Sequence, residues 1–115
     1  MGAEWESGLR SAIRTLGEEA MVTSRAKGFE DPPPSPVESM ALIHCEVSEA
    51  VEALRLGNPA DKHLPHHSSV GVELADVVIR AAHIAERMGI NLGQCILDKM
   101  AYNRSRPRKH GGKLL

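Results

Sequence analysis

The sequence predicts an all-α fold: a four-helix bundle completed by homo-oligomerisation. Three observations carry this expectation. Apolar residues recur at three- and four-residue spacing in four separate stretches, the repeat of one helix face. Breaks rich in Pro, Gly and Asn divide those stretches. The chain holds one Trp, one Tyr and one Phe, so its core must come from Leu, Ile, Val, Met and Ala, which suit packed helices better than a β-sandwich. At 115 residues it is a single domain, 1–115, with a core over about 37–106 and no internal repeat.

The first helix is expected over about 4–27, where Trp5, Leu9, Ile13, Leu16, Ala20 and Val22 form a thin apolar face weakened by Gly8 and Gly17. Asp31-Pro32-Pro33-Pro34-Ser35-Pro36 cannot be helix interior and reads as a rigid surface connector. Ser35, Pro36 and Glu38 then start a second helix, which stops at Gly57-Asn58-Pro59. Its core stripe is expected at Ile43, Val47, Ala50, Val51 and Leu54. The following loop carries His63, His66 and His67 without the Cys or acidic partners of a zinc site, and it receives no firm role.

The third helix should run from Ser68-Ser69 to Gly89. Val70, Leu74, Val77, Ala81, Ile84 and Met88 form its main apolar face, and only Glu73, Asp76, Arg80, His83 and Arg87 make a polar stripe. A helix apolar nearly all round needs burial on several sides, more than one small chain supplies, which points to a homo-oligomer. Asn91 caps a fourth helix that Pro107 brings to an end, and a basic tail, 107–115, follows.

Charge and composition narrow the function. A net charge of −1 argues against a general nucleic-acid binder, although the tail is locally basic. With no apolar run of membrane-spanning length and no leader-like start, a cytoplasmic protein is expected. Cys45 and Cys95 fall inside helices without CxxC spacing and read as buried, reduced thiols.

The chemistry lies in acids. Glu46 and Glu49 are three residues apart on the second helix, and Glu73 and Asp76 repeat that spacing on the third. If the two helices pack antiparallel, four carboxylates converge and attract a hard divalent cation, Mg²⁺ or Mn²⁺. Glu52 points away from Glu46 and should face solvent. Lys99 and Asn103 share a face one turn apart, with Arg106 where the helix gives way, a set suited to a polyphosphate chain. Acids for metal and cations for phosphate together indicate metal-assisted attack on a phosphoanhydride.

Glu46-Val47-Ser48-Glu49 and, after 23 intervening residues, Glu73-Leu74-Ala75-Asp76 resemble the ExxE…ExxD arrangement of the MazG-like, all-α nucleoside triphosphate pyrophosphohydrolases. The stretch from Lys99 to Pro107 and His110-Gly111-Gly112-Lys113 is similar to the end of small members of that family. The resemblance covers about 37–113. It implies a four-helix core, a homodimer or dimer-based tetramer, and Mg²⁺ (with Mn²⁺ a possible substitute) held by Glu46, Glu49, Glu73 and Asp76. It also implies hydrolysis of a nucleoside triphosphate to monophosphate and pyrophosphate, a house-cleaning activity on non-standard or excess nucleotides. Lys99, Asn103 and Arg106 become candidate phosphate contacts, and Glu46 or Glu49 the candidate base for the attacking water. Trp5, His44 and the proline connector are candidate walls for the base. The competing readings are a non-catalytic nucleotide- or metal-binding helical oligomer, acting as sensor or adaptor, and a structural helical module with surface acids.

Overall fold

A computed structural model describes residues 2–108. They form four helices and no named strand: α1 Gly2–Ala26, α2 Pro36–Arg55, α3 Ser69–Met88 and α4 Leu92–Ser105. Each lies within about two residues of its expected bounds, because the end signals act locally. Ser35 Oγ accepts from the Glu38 backbone N–H while Glu38 Oε1 accepts from the Ser35 N–H, a reciprocal cap with Pro36 in the first helical position. Ser68 Oγ accepts from Gly71 N–H, and Asn91 Oδ1 from Gln94 N–H. Gly89 ends α3 at φ +68°, a backbone that favours glycine. The tail residues 109–115 lie outside the described residues.

The helices pack in the order α2, α3, α1, α4, with α3 between α2 and α1. Ser39 meets Arg87 and Glu46 meets Arg80, so α2 and α3 run antiparallel. Gly17 lets α1 approach α3: a Cβ there would stand 2.7 Å from the Ala82 carbonyl oxygen. Gly93 does the same for α4, where a Cβ would stand 2.8 Å from Arg10 Cα.

Within one chain the core is small: Met21, Ala53, Ala82, Ile84 and Ala85 are its buried apolar residues. Of the expected stripe of α2, Ile43 and Ala50 are half-buried and no member is fully buried. Ser39, Glu46 and Ala53, spaced two turns apart, turn inward instead, while Val47, Val51 and Leu54 are 46–61 % exposed. Small side chains at Ser39 and Ala53 allow close approach to α3, leaving the bulky stripe outside. On α3, Leu74, Val78, Ile79 and Met88 are exposed as well. The cysteines also depart from expectation, since both Cys45 and Cys95 are free and exposed on outward helix faces.

The chain is consequently open in shape. Its radius of gyration is 16.5 Å, against about 13 Å for a compact domain of this length. Its accessible surface of 8552 Å² exceeds the roughly 6,200 Å² of a folded monomer of this mass. Among the described residues no helix is long and apolar enough to cross a membrane.

The two α1 glycines should respond oppositely to alanine. At Gly8 nothing stands within 4 Å of an added Cβ, so Gly8→Ala should stabilise by up to about 1 kcal/mol through helix propensity. Gly17→Ala gains the same propensity but strikes the Ala82 carbonyl, and should instead destabilise by about 1–3 kcal/mol. Urea denaturation of both variants measures the difference.

Candidate metal centre

The antiparallel α2–α3 seam brings acids together. One carboxylate oxygen from each of Glu46, Glu49 and Glu73 falls within 4.8 Å of the others. Glu46 is buried, Glu73 half-buried and Glu49 exposed, so the cluster opens to solvent on one side. Glu73 Oε2 is shut off from solvent and has no hydrogen-bond partner among the described residues. A buried acceptor left unpaired is costly.

The electrostatics follow from this crowding. Burial, and then the facing carboxylates of Glu46 and Glu49, push Glu73 up to about 7. Asp76 stands outside the triad but within its field. Burial and then Glu46 raise its pKa, against the opposing pull of Arg80. Among the described residues the one cation joined to the triad is Arg80, whose Nε donates to Glu46 Oε1 at 3.1 Å. Three carboxylates with a single guanidinium leave a local excess of negative charge. Hard oxygen donors and an orphaned buried oxygen fit a divalent cation such as Mg²⁺ or Mn²⁺.

The loop between α2 and α3 holds the two helices in this register. Asn58 Oδ1 accepts from Val70 N–H at 3.0 Å, and Asp61 Oδ2 accepts from the N–H groups of His63 and Leu64 at 2.9 Å each. His63, His66 and His67 are exposed on this loop, with the rings of His66 and His67 4.3 Å apart. They do not join the acids: among the described residues the one three-ligand group is the Glu triad.

Lys99, Asn103 and Arg106 are placed differently from the acids. Helix α4 packs on α1, where Arg10 Nη1 donates to Gln94 Oε1 at 3.1 Å. Lys99 and Arg106 gather over the Tyr102 ring, at 4.8 and 5.7 Å. Among the described residues no hydrogen bond or ion pair links the three to the triad. Trp5, half-exposed, lines a groove at the α1–α4 end, and His44 is exposed on α2. Glu52 faces solvent, as expected.

A second polar cluster flanks the seam. Arg87 Nε and Nη2 donate to Glu30 Oε1 and Oε2 at 2.9 and 2.6 Å, and Arg87 Nη1 donates to Ser39 Oγ at 3.1 Å. Ser24 Oγ also donates to Glu30. The Arg87 hydrogen bonds above all hold Glu30 down to about 2. His83 Nε2 lies 3.2 Å from Glu30 Oε2. Burial and Arg87 lower its pKa, with Glu30 opposing. Arg80, His83 and Arg87 continue the polar stripe of Glu73 and Asp76 along α3, a pattern legible in sequence. The partner Glu30, in the connector, had no such signal.

Glu73 generates a pH prediction. Its folded pKa, about 7, lies above its ordinary value of 4.5. The protonated form therefore favours the fold, and that contribution is lost as pH rises from about 4.5 through 7. In chelator, the Tm of the wild type should fall across this window more steeply than that of Glu73→Gln. Mg²⁺ at pH 8 should restore the wild type and leave Glu73→Gln unchanged, as differential scanning fluorimetry would show.

No family model, curated protein or solved structure matches the chain, so the site rests on its own residues.

Proposed function

We propose that this protein is a Mg²⁺-dependent nucleoside triphosphate pyrophosphohydrolase of the MazG-like type, with Mn²⁺ a possible substitute. The supporting observation is the convergence of Glu46, Glu49 and Glu73 around the unpaired, buried Glu73 Oε2. Asp76, in the same field, is the fourth ligand of this reading. When bound, the cation lowers the pKa of a coordinated water and neutralises charge developing on phosphate oxygens. Glu46 or Glu49 orients the attacking water and accepts its proton. Arg80 holds Glu46 in place through its Nε hydrogen bond. The water oxygen bonds to the α-phosphorus, the α–β bridging bond breaks, and the bridging oxygen leaves with pyrophosphate. The remaining product is the nucleoside monophosphate. This chemistry suits the removal of non-standard or excess nucleotides in the cytoplasm.

The same reading makes the enzyme a homodimer or dimer-based tetramer. The exposed stripe of Val47, Val51 and Leu54 on α2, with Leu74 and Val78 on α3, is an apolar surface for a second copy to cover. Lys99, Asn103 and Arg106 would then meet phosphates across that assembly. One observation favours a second reading, a nucleotide- or metal-binding oligomer without turnover: within one chain these residues are not joined to the acids.

The deciding measurement is pyrophosphate and orthophosphate release from a panel of NTPs and dNTPs, with Mg²⁺ and with chelator. Metal-dependent pyrophosphate matched by monophosphate is expected. Glu49→Gln should lower kcat by about 100-fold or more. Nucleotide binding without release from any member would favour the non-catalytic reading.

A further inference from the structure

A cavity of about 670 Å³ lies between the proline connector and the α2–α3 pair, linked to the acid triad through Arg80. Its apolar walls include Phe29, Pro33, Leu42 and Ile84, and its polar floor includes Arg80. This volume is in the range of small-molecule sites, which combine apolar walls with a few polar groups. Arg80 belongs to both features: its Nε is bonded to Glu46 of the triad, and its side chain, 39 % exposed, lines the cavity. Among the described residues its two terminal nitrogens have no partner, whereas every Arg87 nitrogen is engaged with Glu30, Ser39 or His83. Arg87 thus pins the connector wall, and Arg80 is the floor cation left to meet a ligand.

We propose that this cavity receives the nucleoside of the substrate, and that Arg80, at the junction, donates to the phosphate nearest the sugar. The proposal rests on the pyrophosphohydrolase reading and extends it. The apolar walls fit a flat base, which is uncharged, and Arg80 connects the cavity lining to the acids that would hold the metal. Arg80 also supplies, within one chain, the phosphate cation that the residues of α4 do not bring to the acids. Charge balance agrees: a guanidinium beside the carboxylates offsets repulsion between them and an incoming polyphosphate.

The test uses the full-length protein and three probes: nucleoside, nucleoside monophosphate and triphosphate of the best base in the panel. Binding of the first two is followed by calorimetry without metal, and turnover by pyrophosphate release. Leu42→Trp, which fills the cavity from a partly exposed position, should weaken nucleoside and monophosphate binding and raise KM, each by about tenfold or more. Its Mg²⁺-induced thermal shift should stay near wild type. Arg80→Met, and Arg80→Lys as the variant that keeps a cation for Glu46, should each weaken monophosphate binding about tenfold but leave nucleoside binding unchanged. If Leu42→Trp does not fold, Phe29→Ala at the exposed rim should show a smaller weakening in the same direction. An active wild type whose cavity variants bind both ligands normally would overturn the cavity and leave the enzyme reading standing. Equal effects of Arg80→Met on nucleoside and monophosphate, or none on either, would overturn the Arg80 contact. A wild type that releases no pyrophosphate from any nucleotide would instead remove the reading beneath both.

Discussion

The structure depends on a helix seam that buries a carboxylate. Helix α2 turns Ser39, Glu46 and Ala53 toward α3, and Glu46 in the middle of that face is 8 % exposed. A buried carboxyl group is costly unless it is paired and hydrogen-bonded. Arg80 meets that need from α3 and fixes how far the two helices can slide past each other. The same register places Glu49 and Glu73 beside Glu46, so the pairing that makes the seam possible also assembles the acid triad.

The Glu30–Arg87 pair does for the connector what Arg80 does for α2. Both Arg87–Glu30 bonds are charge-assisted and bidentate, and Ser24 and Ser39 satisfy neighbouring positions. One residue of α3 thereby ties α1, the connector and α2 together. The two arginines, seven residues apart on one face of α3, have different tasks. Arg87 uses its donors within the fold, while two of the Arg80 nitrogens have no partner among the described residues.

The apolar surface gives these polar seams their context. With five buried apolar residues among the described ones and an extended outline, the single chain hides little hydrophobic area. Polar pairs on the inner faces specify which helices meet, but they contribute modest net stability after desolvation. Val47, Val51, Leu54, Leu74 and Val78 stay exposed within the single chain, and in the proposed homo-oligomer their burial would supply the larger driving force. Stability and site completion would then be gained in the same association step.

Helix identity and helix ends were determined by sequence alone, because propensity, capping and chain-breaking act over a few residues. Ser35 with Glu38, Ser68, Gly89 and Asn91 did in the fold what they promised on paper. The acid spacing was legible for the same reason, since three residues along a helix fix a shared face whatever packs against it. Which face turned inward was decided only in three dimensions. The bulkiest stripe of α2 looked like core, yet the small and charged face won, because close helix approach needs small side chains and Glu46 had a cation waiting across the seam. Long-range partners were equally beyond the sequence: nothing in the connector marked Glu30 for Arg87, 57 residues away, and nothing in α4 showed that it would pack on α1. Such choices depend on how whole surfaces fit, and that is settled when the helices meet.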